Sequence, residues 1–291
     1  MRAGLLRAGF LRRALLHPAA LHPAAAIAGF LALILCLAGA ATADQQGAPA
    51  AAGSAEAPAP REAVPRAFTD AEITDGFFKI AFGAEFHTSG ERVDRVRKYD
   101  GPVRIFIADA GRSDRRRQLE SVIADIRERI SGLDIGVTED SGAANMMISL
   151  VRDRELAGAI SRVYGRDRAR KIENTLTPQC LSGFRKDERF RIVHSDVILV
   201  VDVGEFIFTD CAYEEVLQAL GPINDDASVP WSMFNDDVQL GLFGIYDQYL
   251  LNLLYHPRMR PGLTREEAAV VLADVLPQVR AFVGRKNGLG E

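Results

Sequence analysis

Apolar positions fall into three kinds of run along this 291-residue chain. From Ala24 to Ala40 they are almost continuous, with Ile27, Phe30, Leu31, Leu33, Ile34, Leu35 and Leu37 and no charge between them. Further on they recur at helical spacing. Thr69-Asp70-Ala71-Glu72 fits a capping box, and Ile73, Phe77, Ile80 and Ala81 follow on one face, so the folded part opens with a helix. Leu119, Val122, Ile123, Ile126 and Ile130 repeat the pattern behind a Ser113 cap. A third kind is short and β-rich. Arg97 to Ala108 reads as strands around Asp100-Gly101-Pro102, with shorter strands over 133–137 and 144–151. Phe190–Ser195 and Asp196–Val203 read as a strand pair.

Between and after these runs, a polar helix is expected from Asp153 to about Tyr164. Another is capped by Thr209 or Asp210, reaches Leu220 and stops at Gly221. A loop rich in Asn, Asp and Pro covers 222–241, and helices over 245–255 and 264–284 close the chain. The second of these opens with the capping box Thr264-Arg265-Glu266-Glu267. No internal repeat is present. The expected fold is a single α+β domain over residues 66–291 with a twisted mixed sheet.

The N-terminal run changes the picture from fold to placement. Arg2, Arg7, Arg12 and Arg13 precede it with no acid before Asp44, and Ala41-Thr42-Ala43 follows it. A basic segment, an apolar segment and small residues at −3 and −1 are what signal peptidase reads, so residues 1–43 are expected to be a cleaved signal peptide. The alternative is an uncleaved anchor, against which the apolar run is short for a span of ~20 residues. Cys36 follows Leu35, and a bulky residue there argues against a lipidation site. Residues 44–65, poor in large apolar side chains, read as a disordered Ala/Pro-rich linker. The expected location is the periplasm or the medium, with no membrane span after cleavage.

Composition is globular, 25% charged and 48% hydrophobic. Without residues 1–43 the chain carries 31 basic and 39 acidic residues, a net charge of −8, which argues against nucleic-acid binding by charge. Arg115-Arg116-Arg117 reads as a solvated helix face. Cys180 and Cys211 remain, and in an oxidising compartment an isolated pair reads as a disulfide. No CxxC motif is present and no cofactor is implied.

The candidate chemistry lies in Cys211-Ala212-Tyr213-Glu214-Glu215-Val216-Leu217-Gln218-Ala219-Leu220-Gly221, with Asn224 three residues on. Glu214 and Gln218 share a helix face, Glu215 projects beside them, and Gly221 permits a turn by which Asn224 could fold back. The spacing resembles the metzincin metallopeptidase motif H-E-x-x-H-x-x-G-x-x-H, here degenerate as E-E-x-x-Q-x-x-G-x-x-N. Ser232-Met233-Phe234-Asn235 resembles the family's Met-turn, and Tyr246-Asp247 through Leu254-Tyr255 resembles its closing helix. The resemblance implies a zincin-like domain with Glu214, Glu215, Gln218, Asn224, Met233 and Asn235 lining a cleft and Glu215 as the candidate general base.

The chain is more closely similar to a bacterial envelope family catalogued as domain of unknown function 2927. The matching residues are the Cys211–Gly221 block, Met233-Phe234-Asn235-Asp236, and the stretch from Leu254-Tyr255-His256-Pro257 to Gly262-Leu263-Thr264. That family brings placement and fold but no activity.

Carboxamides are weak zinc ligands, and His87, His194 and His256 stand outside the motif positions, so no metal is expected. The acid-rich loop (Asn224, Asp225, Asp226, Asn235, Asp236, Asp237) lacks the D-x-D-x-D-G order of a calcium loop and reads as solvated. Three functions follow. The first is a non-catalytic pseudo-peptidase binding a peptide or a cell-envelope protein. The second is a hydrolase using Glu214 and Glu215 with non-standard ligands. The third is a structural envelope component.

Overall fold

A computed structural model describes residues 5–9, 66–82, 94–111, 113–175, 179–222, 224–235 and 237–289. The signal-peptide and linker assignments therefore fall outside the described residues, except for strand β1 (Leu5–Gly9). The remaining strands are β2 (Val103–Ala108), β3 (Ile135–Val137), β4 (Met146–Val151), β5 (Cys180–Lys186) and β6 (Ile192–Val200). They form one mixed sheet in the order β1-β5-β6-β4-β2-β3. Pairings among β2, β3, β4 and β6 are parallel, whereas β5 runs antiparallel to β6, and β1 antiparallel to β5.

The helices are α1 (Asp70–Ile80), α2 (Ser113–Arg129), α3 (Leu156–Tyr164), α4 (Arg166–Thr175), α5 (Glu205–Ala219), α6 (Ile245–Tyr255) and α7 (Arg265–Asn287). Alternation along β6 assigns the two sheet faces. Val197 and Leu199 enter the larger core with α1, α2, α5, α6 and α7, while Ile198 and Val200 enter a smaller one with α3 and α4. The α2 stripe of Leu119, Val122, Ile123, Ile126 and Ile130 is buried in the larger core as its spacing implies.

Both capping boxes form. The Thr69 hydroxyl accepts from the Glu72 amide at 3.2 Å while the Glu72 carboxylate accepts from the Thr69 amide at 2.8 Å; Thr264 and Glu267 repeat the exchange at the head of α7. α7 runs on to Asn287, past the expected stop at Gly284, because the left-handed C-cap is Gly288 (φ 63°).

Two expectations are corrected. Residues 190–203 are not a strand pair; one strand, β6, spans 192–200, and its antiparallel partner is β5. The reversal sits at Asp187–Arg191, where the Asp187 carboxylate accepts from the amides of Arg189 and Arg191 and Phe190 takes φ 63°. β5 contains Ser182 and Gly183, which mask a strand when pattern alone is read. The second correction concerns 97–108. A regular strand begins only at Val103, and Lys98 makes a single bridge to Arg191.

Candidate functional site

α5 follows β6 directly and lies on the sheet against β5 and β6. It begins at Glu205, earlier than the Thr209 or Asp210 cap expected, and its N-cap is Gly204. Its C-terminus is where expected, with Leu220 as C-cap and the Leu220 carbonyl accepting from the Tyr255 hydroxyl at 2.7 Å. Gly221 then takes φ 140°, and a Cβ there would lie 2.3 Å from the Arg97 carbonyl oxygen. Only glycine lets the chain turn under that backbone.

The Cys180–Cys211 disulfide forms, with Cα atoms 5.9 Å apart, and staples β5 to the middle of α5. One and two turns further along the helix stand the motif residues. Glu214, Glu215 and Gln218 are all buried, the last two completely. The Gln218 amide donates to the Glu214 carboxylate at 3.2 Å, and its oxygen accepts from the Ser182 hydroxyl on β5 at 3.3 Å. The i, i+4 pair of α5 is thus joined to the sheet by a polar chain, Glu214–Gln218–Ser182. Glu215 lies within electrostatic reach of Tyr164 on α3; burial, then the charges of Asp196 and Glu215, push the Tyr164 phenol well above its ordinary range.

The other candidates are placed by the 224–241 loop. The Asn224 amide donates to the Lys79 carbonyl at the end of α1 at 2.8 Å, so its side chain is committed to α1 and not to Gln218. Asn235 ties the loop to itself: its amide donates to the carbonyls of Ala227 and Val229, and its oxygen accepts from the Asp237 amide. Met233 is buried, and its backbone amide donates to the Asp247 carboxylate on α6 at 3.0 Å.

Two buried carboxylates hold this loop. Asp247 also accepts from the Ser232 hydroxyl at 2.5 Å, and burial pushes its carboxyl up to about 7 against those two donors. On α5, Asp210 accepts from the amides of Leu240 and Gly241, and burial raises its carboxyl as well. Pattern reading offered Asp210 only as a helix cap and had no role for Ser182. Their partners are 30 or more residues away, and no local signal announces them.

Among the described residues, no group of three His, Cys, Asp or Glu side chains is placed to hold a metal ion. His194 pairs with Asp196 at 3.2 Å within β6, and His256 accepts from the Arg258 amide at the end of α6. No described helix is long and apolar enough to cross a membrane.

Fold and site together define a mixed-sheet α+β domain with helices on both faces and a buried acid–amide helix stapled to an antiparallel strand. The chain belongs to the family described as Protein of unknown function (DUF2927), whose pattern matches residues 70–274. No curated protein and no solved structure matches the chain.

Proposed function

We propose that this protein is an exported, non-catalytic zincin-like domain that binds an extended peptide, or a segment of a cell-envelope protein, along the strand β5 that α5 packs against. The observation that carries the reading is the commitment of the motif side chains. Gln218 is bonded to both Glu214 and Ser182, and Asn224 is bonded to Lys79. In a working metzincin those three positions converge as ligands on one point. Here their polar groups are spent within the protein, and two of the three are carboxamides, weak donors toward zinc.

The order of parts supports the zincin ancestry: an antiparallel strand flanking parallel ones, the α5 motif helix, the Met233 loop, then α6. Peptide is the natural ligand class, because a strand such as β5 binds extended backbone through its own amides and carbonyls. Export is supported by the leader-like sequence of residues 1–43 and by the disulfide, which persists in oxidising compartments.

The test is the metal content and hydrolytic activity of the chain lacking residues 1–43, purified from an oxidising compartment. The expected outcome is no stoichiometric metal, and residual peptide cleavage, if any, unchanged by Glu215→Gln. One zinc per chain together with cleavage abolished by that substitution would overturn the proposal in favour of a metallopeptidase with unusual ligands.

A further inference from the structure

The strand Leu5–Gly9 occupies the outer side of β5, which otherwise is the edge of the sheet. The register is antiparallel, with Leu5 opposite Phe184, Leu6 opposite Gly183, Arg7 opposite Ser182, Ala8 opposite Leu181 and Gly9 opposite Cys180. An exposed strand edge leaves a row of unpaired amides and carbonyls, and proteins protect such edges with charges, prolines or bulges. β5 has none of these where β1 covers it. Cys180-Leu181-Ser182-Gly183-Phe184 carries no charge and no proline and is buried throughout. The bulge at Arg185/Lys186 and the first charges come only after the covered stretch, and Arg185 is exposed. The edge is therefore built to be covered over five residues, and no further.

What covers it lies inside the expected signal peptide, so removal of the leader bares that edge. The position opposite Ser182 has a specific environment, because the Ser182 hydroxyl leads to Gln218 and on to the buried Glu214 carboxylate. The residue at that register in the chain's own strand is an arginine.

We propose that the β5 edge is a track for an extended antiparallel peptide with a basic residue opposite Ser182. Leu5–Gly9 holds that track until the leader is removed. This rests on the peptide-binding reading above, and it adds the ligand's register, its charge and its self-occupied state. The backbone ladder supplies affinity whatever the side chains are, and the acid beneath Ser182 selects for a cation at one position.

The probe is a capped synthetic peptide of residues 3–11, offered to the full chain with cleavage blocked and to the chain lacking residues 1–43. The shortened chain keeps both cores, all of whose residues lie at or beyond Phe68. Hydrogen exchange should show those amides of 180–184 that point away from β6 protected in the full chain, exposed in the shortened one and protected again by the peptide, while the amides paired with β6 stay protected throughout. Binding should be confined to the shortened chain and fall about tenfold for the Arg7→Glu peptide. Successive amides of a strand point to opposite sides, so one of the Leu6→Pro and Arg7→Pro peptides should fall at least as far.

Edge amides that exchange equally fast in both forms would overturn self-occupancy. A shortened chain that binds extended peptides on 180–184 but ignores the charge at position 7 would overturn the inference and leave the peptide-binding function standing. If no extended peptide protects 180–184, both fall.

Discussion

Replacing Asp247 by Asn should change how stability depends on pH more than it changes stability at any one pH. The carboxyl is fully buried at the head of α6, where it accepts from the Ser232 hydroxyl and the Met233 amide. Burial pushes it from 3.8 up to about 7. In the unfolded chain the group loses its proton near pH 4, whereas in the folded chain it keeps it until about pH 7. Between those limits the native state binds the extra proton, so raising the pH favours unfolding. The slope is about 1.4 kcal/mol per pH unit, and the roughly three units between the two values make about 4 kcal/mol in all.

Asparagine matches the shape, can still accept from the Met233 amide, and does not titrate. The stability of the natural chain minus that of Asp247→Asn should therefore fall by about 4 kcal/mol from about pH 4 to about pH 8. Urea unfolding followed by the fluorescence of Trp231, the single tryptophan, measures both proteins at each pH. A difference that stays flat across that range would refute the reasoning, because it would mean the carboxyl ionises in the folded state as it does in water.

Removing the disulfide by Cys180→Ser with Cys211→Ser should cost about 3–4 kcal/mol in chemical denaturation, given the 31-residue separation it closes. Gly221→Ala should cost about 3 kcal/mol or more, since φ is 140° and the new Cβ meets the Arg97 carbonyl; a change within 0.5 kcal/mol would show that the turn relaxes freely. Gln218→Leu keeps the volume but strips Ser182 and Glu214 of their shared partner, and a melting series should show a loss of about 1–3 kcal/mol.

Pattern alone reached far in the helical parts. The Thr69 and Thr264 boxes, the five-residue stripe of α2, and the limits of α6 are all local: each depends on residues three or four apart, and the structure places them as spaced. The Gly221 stop was legible for the same reason, although the need for glycine comes from Arg97, more than a hundred residues away. The Cys180–Cys211 pair was legible by counting, because two cysteines beyond Cys36 leave one pairing.

The strands were read less well. β5 was hidden by Ser182 and Gly183, which are tolerated there because α5 and its staple cover one face and the smaller core receives Leu181 on the other. By pattern alone 190–203 reads as its own strand pair, whereas in the structure it is the single strand β6 with β5 as its antiparallel partner. Strand identity is decided by the neighbour across the ladder, and that neighbour is not in the window being read.

The sequence by itself determined α1, α2, α6 and the start of α7, the Thr69 and Thr264 caps, the disulfide and the spacing that brings Glu214 and Gln218 onto one face, because each follows from short-range periodicity or from residue chemistry. Only the tertiary structure decided that Gln218 answers to Ser182, that Asn224 turns to Lys79, that Asp210 and Asp247 hold the 224–241 loop, and that β5 carries β1 on its outer side. Those contacts join residues far apart in the chain, and a buried polar group takes its partner from whatever the packed fold brings within about 3 Å.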